Sequence, residues 1–247
     1  RRLGDLIEQR RLPCGVEKDG TVLNDVVLRP WSWEDEGWLG EVQGAPGMTP
    51  GLFLRAAIGW LTETLAGVEM RRADGEIGAP LRPTEARALR SAAVGRLPYG
   101  DLLTVLMMIR AVSEPEITLP VRLDGSDQML PVQFSLLDAP VRCLVEGRRP
   151  SELQVEVGGA SWGPPGIRLF DLLASNQGRL SSIKMRRQML ETAHRGGTPL
   201  RQVGRSHHAE IIQQVERRTC GARLRIRTAY QGKMVEGLVP LAQLFRF

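Results

Sequence analysis

The stretch "GASWG", Gly159 to Gly163, has the Gly-x-Ser-x-Gly spacing that can lift a nucleophilic serine onto a tight strand-to-helix turn, and "LQVEV" ahead of it supplies a strand. Such an elbow needs a helix directly after the serine, with its first amides facing the oxyanion, yet Pro164, Pro165 and Gly166 follow. Asp171 is too near in sequence to come from a separate strand end, and no HGGG-like oxyanion loop occurs. A serine hydrolase using Ser161 is therefore the weakest of three functional readings, and a glycine-rich turn is the expected structure. His207 and His208 are neighbours, so on a helix they point about 100° apart and cannot chelate one metal as an i, i+4 pair does. Cys14, Cys143 and Cys220 lie far apart without CxxC or CxH spacing, so reduced thiols are expected. "GAPGMTPG" lacks the GK[ST] ending of a phosphate loop, and no GxGxxG occurs. The acids of "WEDEGW" suit the positive end of a helix. No catalytic residue, metal ligand or cofactor is expected, and the chain reads as a non-enzyme.

Charge carries the remaining chemistry. From Arg179 onward there are 14 Lys and Arg against 4 Asp and Glu, a net of +10, and the rest of the chain carries −5. Arg223, Arg225 and Arg227 alternate with Leu224 and Ile226, so a strand there shows three guanidiniums on one face and buries the other. Arg186, Arg187, Arg217 and Arg218 add two further pairs on helical segments. These seven arginines form the candidate interface. An acidic protein surface is the favoured partner. Nucleic acid is the second reading, because only Tyr230 is near enough to stack a base and no recognised module is visible.

The elements that must carry these residues follow from pattern. With 247 residues, 42% of them hydrophobic, 5% aromatic, 27 Gly and 16 Pro, the chain can bury a core built from several short elements. A strand is expected at Val26 to Arg29, then a Pro30 turn and a helix capped by Ser32. Thr49-Pro50 opens a second helix through "GLFLRAAIGWLTETLAGV", and Thr84 caps a third, "EARALRSAAVGRL". Asp101 is expected to cap a nearly all-apolar helix from Leu102 to about Val112. The apolar run there, broken only by Thr104, is too short to cross a bilayer. Behind the leading arginines no stretch of signal-peptide length follows, so secretion by a signal peptide is not expected. Ile117, Leu119, Val121 and, past "DGSDQ", Leu130, Val132, Phe134 alternate as a hairpin. "SELQVEV" is a further strand. Helices are expected at "IRLFDLLAS", at "SSIKMRRQMLETAH", and from Thr198-Pro199 to near Gly221. A last strand pair turns at Gln231-Gly232.

The fold class is thus α+β: a helical N-terminal part with a central β-hairpin and a smaller basic helix-plus-hairpin C-terminal part. The expected divisions are 1–145, a linker and turn region at 146–178, and a basic module at 179–247.

The order "LPCGVEKDGTVLNDVVLRPWSWEDEGWL", "SAAVGRLPYGDLLTVLMMIRAVSEPEITLPV", "MLPVQFSL" is similar to the baseplate hub and tail-assembly proteins of contractile-tailed phages and related contractile injection systems. In that family an "LRPLT..DE" element precedes a helical "LL..IR" element and a hairpin, and the likeness covers about residues 12 to 140. It implies a structural or assembly role through protein interfaces, with other baseplate, hub or tail-tube proteins, or a homo-oligomeric ring, as partners. It also implies residence in the bacterial cytoplasm during assembly and then in the particle. Many members carry a CPxC-like pair at the hairpin. Here "DGSDQ" stands in its place without cysteine, so no metal is carried over.

Overall fold

Turn and capping chemistry set the element ends in the computed structural model, which describes residues 1–29, 32–69, 89, 92–122, 129–176, 181–240 and 244. A short helix α1 (Leu3–Glu8) leads into strands β1 (Arg11–Lys18) and β2 (Thr21–Leu28). They pair through Lys18↔Thr21 around Asp19 (φ 50°) and Gly20 (φ 75°), the left-handed conformation that an Asp-Gly hairpin favours. The strand expected at Val26–Arg29 is thus the end of a longer hairpin. Helix α2 (Trp33–Gly44) starts at Ser32 as expected. Asp35 Oδ2 accepts from the Ser32 backbone N–H at 2.7 Å and from its hydroxyl at 2.9 Å. Asp35 also takes the guanidinium of Arg29 and the indole N–H of Trp60, so one acid of "WEDEGW" is a buried clamp while Glu34 and Glu36 stay exposed.

Helix α3 (Pro50–Trp60) is capped by Thr49, whose Oγ1 accepts from Leu52 N at 3.3 Å. It does not run on through "TETLAGV" as expected. Thr62–Leu65 is β3 and Val68–Glu69 is β4, turned at Ala66 (φ 49°) and Gly67 (φ 77°), and the sheet order is β1-β2-β3-β4. Pairing of Val26 with Leu65 buries that leucine completely, which outweighs the modest helix preference of the segment. The Thr84 cap lies outside the described residues, and residues 92–96 are helical.

Helix α4 (Tyr99–Ser113) is the centre of the molecule, with Leu102, Leu103, Val105, Leu106, Met107 and Met108 all buried. Its N-cap is Pro98, so Asp101 is not the cap that the sequence led us to expect; it sits in the first turn and points inward. The hairpin β5 (Glu116–Arg122) with β6 (Met129–Ser135) forms as expected and buries Ile117, Leu119, Val121, Val132 and Phe134. Pro120 faces Pro131; neither can donate, so this pair occupies a non-hydrogen-bonded position. The "DGSDQ" loop lies outside the described residues.

The C-terminal half departs from the expected divisions. Short strands β7 (Val141–Arg142), β8 (Val155–Val157) and β9 (Ala160–Trp162) precede helix α5 (Ile167–Ser175), and helix α6 (Ser182–Ala193) leads into β10 (His194–Gly197). "SELQVEV" is a strand only over its last three residues, because Pro150 opens a 3-10 turn to Leu153. Helix α7 (Arg205–Arg218) begins behind Gly204 and not at Thr198-Pro199, where a 3-10 turn intervenes. Strand β11 (Gly221–Ala222) pairs with β7, and the hairpin β12 (Arg225–Tyr230) with β13 (Lys233–Leu238) turns at Gln231 and Gly232 as expected.

Two apolar clusters result. Ile226 and Val235 of the last hairpin join the large core around α4, and a Cβ on Gly237 would come within 2.8 Å of Leu119 and Phe134. Strands β8 and β9, assigned to a linker from the sequence, form the second core with α6 and α7 around the fully buried Trp162. The region expected as one basic module at 179–247 is therefore shared between both cores.

Candidate functional site

The seven arginines do not gather on one surface. Arg223, Arg225 and Arg227 share an exposed face as the alternation requires, but Glu236 stands opposite Arg227 on the paired strand. Its carboxylate accepts from Arg225 Nη1 at 2.8 Å and from Arg227 Nε at 3.0 Å, and these hydrogen bonds, Arg225's first, hold its carboxyl below the ordinary range. The stripe is half-neutralised by its own sheet. Arg218 Nη1 donates to the Gln154 carbonyl at 2.7 Å and ties α7 to the segment before β8. Arg217 contributes its carbonyl oxygen to the guanidinium of Arg142. Arg218 is thus a structural tie, whereas the Arg217 guanidinium stays on the exposed face of α7.

Arg186 and Arg187 stand in a different setting. Helices α6 and α7 diverge around an open groove of about 1410 Å³, with Leu190, Leu200, Val203 and Ile212 along its floor. Ile183 is on the same helical face as Leu190, seven residues before it, and is 78% exposed at the groove's edge. Arg186, Arg187, Arg201 and Arg205 rim it together with Glu191, Glu210 and Glu216; Arg187 Nε is 2.7 Å from Glu191. His208 Nε2 is shielded from solvent at this groove and has no hydrogen-bond partner among the described residues. A groove with an apolar floor and a charged rim of mixed sign, arginine in slight excess, suits an amphipathic segment. Sequence reading found Arg186 and Arg187 but missed the groove. The available signal was Ile183, an apolar residue set among Lys184, Arg186 and Arg187 in register with Leu190.

On the opposite charge pole, α2 presents Glu34, Glu36 and Glu41 at the surface together with Trp33, which is 80% exposed. The acidic front of the chain thus includes a surface bearing an exposed aromatic.

A third feature lies inside. Gly15 (φ 79°) sits in a bulge of β1, where the register with β2 shifts between Arg11 and Val16. The bulge turns two backbone donors toward α4. Asp101 Oδ1 accepts from Cys14 N at 3.0 Å and Oδ2 accepts from Gly15 N at 2.7 Å. Burial pushes the Asp101 carboxyl up to about 7 against the lowering effect of these two bonds. Gly100 packs so closely on the Cys220–Gly221 backbone that a Cβ there would lie 1.8 Å from the Cys220 carbonyl oxygen. The β7–β11 ladder pairs Gly221 with Arg142, so the next position along sets Cys220 opposite Cys143, and Leu144 N donates to Pro13 O at 2.7 Å. The backbones of Cys14 and Cys220 thus meet the first turn of α4, although 87 residues separate Cys14 from Asp101. Cys14 and Cys220 are buried, with Cys220 Sγ 4.0 Å from the Arg218 carbonyl oxygen, and Cys143 is half-buried. The mutual influence of these two thiols lowers the pKa of Cys220, with the guanidiniums of Arg142 and Arg223 adding to it, and raises that of Cys14. Among the described residues no group of three or more His, Cys, Asp and Glu is arranged to hold a metal ion.

No protein-family model matches this chain, and neither a curated protein nor a solved structure does.

The remaining motifs resolve geometrically. Gly158 (φ 63°) and Gly159 (φ 74°) form the turn between β8 and β9, and Ser161 lies in the middle strand of the β10-β9-β8 sheet. Its hydroxyl donates to Gln154 Oε1 at 3.1 Å, and after Trp162 ends the strand, Gly163 to Gly166 lead on without a helix. "GASWG" is not the glycine-rich turn expected: only Gly159 belongs to the turn, Ala160–Trp162 is strand β9, and no helix follows the serine as an elbow needs. His207 Nδ1 lies 3.8 Å from Glu210 on exposed α7. Among the described residues no helix is long and apolar enough to cross a membrane.

Proposed function

We propose that this chain is a structural or assembly component of a contractile phage tail or injection-system baseplate, acting through protein–protein interfaces. The observation that carries the reading is the arginine-rimmed groove between α6 and α7. Its exposed Ile183 leaves apolar surface for a partner to cover, and its mixed rim, in which Arg186, Arg187, Arg201 and Arg205 outnumber Glu191, Glu210 and Glu216, favours a partner with acidic side chains among its contacts. The acidic surface around Trp33 gives the same chain a complementary pole, which suits head-to-tail contact in a ring or contact with two different neighbours. The order of strand, capped helix, central helix and hairpin agrees with the sequence likeness. Nucleic acid is the less favoured partner, because Glu236 already engages two of the three stripe arginines.

The test is sedimentation of lysate from cells that make the particle. The chain is expected with tail particles or their assembly intermediates, and the double substitution R186E/R187E is expected to shift it to the top of the gradient. Recovery as a free species in a lysate with intact particles would count against the reading.

A further inference from the structure

Trp33 holds its indole in water. It is 80% exposed, whereas Trp38 of the same helix stacks on Trp60 with ring centroids 4.2 Å apart. Glu36, Gly37, Gly40 and Glu41 follow Trp33 at i+3, i+4, i+7 and i+8, so they share its face of α2, and all are exposed. A Cβ on Gly37 or Gly40 would meet nothing of its own chain within 4 Å, so no side chain there keeps a partner away from the indole. Helix α2 contains no Lys or Arg, and Glu34, Glu36 and Glu41 make no ion pair among the described residues. The groove between α6 and α7 has the opposite character. Glu191 is bound by Arg187 and Glu210 lies 3.8 Å from His207, but Arg186, Arg201 and Arg205 have no acid within ion-pair distance among the described residues. These three guanidiniums outweigh the one unpaired carboxylate of the rim, that of Glu216. Across residues 181–218 there are eight Lys and Arg against three acids. We propose that the groove receives the Trp33 face of a second copy of this chain, with the indole on Ile183, Leu190 and Ile212 and the glutamates of α2 against Arg186, Arg201 and Arg205.

One chain thus carries both halves of the contact: an indole with three carboxylates on α2, and an apolar floor with three guanidiniums between α6 and α7. The halves are different surfaces, so the contact is heterologous, and copies add head to tail until a ring closes or a filament grows. Burial of the indole supplies the affinity, since an aromatic anchor removes roughly 150–250 Å² from water and tryptophan is foremost among the residues that dominate interfaces. The charges orient the two copies and speed their encounter, an effect that salt screens. The contact rests on the groove proposed above as an interface. It is measured in the purified chain without any tail component, so failure to self-associate and failure to join a particle are separate results.

The experiment is sedimentation velocity of the purified full chain over a wide range of concentration, under reductant and at low and high salt. The weight-average mass of the native chain is expected to rise with concentration, and to rise less at high salt. Trp33→Ala and Ile183→Asp, both at exposed positions, are each expected to weaken self-association at least about 30-fold while leaving the thermal unfolding curve in place. Mixed together, the two variants are expected to form a one-to-one dimer and nothing larger, because Trp33→Ala keeps an intact groove and Ile183→Asp keeps an intact Trp33 face. A native chain that stays monomeric at every concentration, a folded variant that associates as the native chain does, or a mixture that stays monomeric would overturn the proposal. The native measurement needs no variant, so monomeric native chain decides against the contact even where a variant does not fold.

Discussion

Replacing Asp101 by Asn is expected to change how stability depends on pH. In the folded chain this carboxyl is wholly buried and holds its proton up to about 7, whereas in the unfolded chain it loses it near 3.8. Between those values the folded state binds the extra proton, so stability is fully present at low pH and is lost as pH rises toward 7. The gap between the two pKa values corresponds to about 4 kcal/mol, lost across that window. Asparagine keeps one acceptor for the Cys14 and Gly15 amides but does not titrate. The stability of D101N relative to the native chain should therefore improve by about 4 kcal/mol from pH 4 to pH 8. With a urea slope of about 3 kcal/mol/M, the two midpoints should move relative to each other by about 1 M. The assay is urea unfolding followed by tryptophan fluorescence at half-unit pH steps. The chain has three free cysteines, one of which donates its amide to this carboxyl, so each measurement is made under reductant. Parallel midpoint curves for the two proteins would refute the reasoning.

Other perturbations have equally definite outcomes. Arg29→Ala leaves the Asp35 carboxylate buried without its guanidinium and should cost about 3 to 5 kcal/mol in urea unfolding. Burial raises the Asp35 carboxyl, but the hydrogen bonds of Arg29, Trp60 and Ser32 outweigh it and hold the group at about 2. Its contribution should therefore be lost only as pH falls from about 4 toward 2, followed by circular dichroism. Gly100→Ala drives a methyl into the Cys220 backbone and should lower the melting temperature by about 10 °C or prevent folding. Ile183→Asp, at an exposed position, should leave the melting temperature unchanged within about 2 °C yet release the chain from sedimenting particles.

What the sequence made legible was local. Ser32, Thr49 and the Gln231-Gly232 turn announce their elements because caps and turns are satisfied within a few residues. The β5–β6 hairpin was readable because strict alternation has one structural solution. The β1–β2 hairpin had a readable sign in Asp19-Gly20, although the strand before it carries a proline and a bulge that interrupt its pattern. "TETLAGV" misled because its strand character comes from pairing with β2, a contact that periodicity does not encode. Asp101 looked like a cap because Pro98 has no side-chain acceptor; its true partners, the amides of Cys14 and Gly15, lie more than 80 residues earlier. The close approach of Gly100 to the Cys220 backbone was invisible for the same reason. The arginine stripe was correct as a face and incomplete as a site, since the residue that offsets it, Glu236, arrives only with the hairpin register.

The central claim is that the chain builds a contractile particle through its interfaces. Deleting its gene in a cell that makes such particles, and imaging the lysate by electron microscopy, tests this most directly. Sheathed tails should be absent and should return with the native chain but not with the R186E/R187E variant. Intact, contracting tails in the deletion strain would contradict the account.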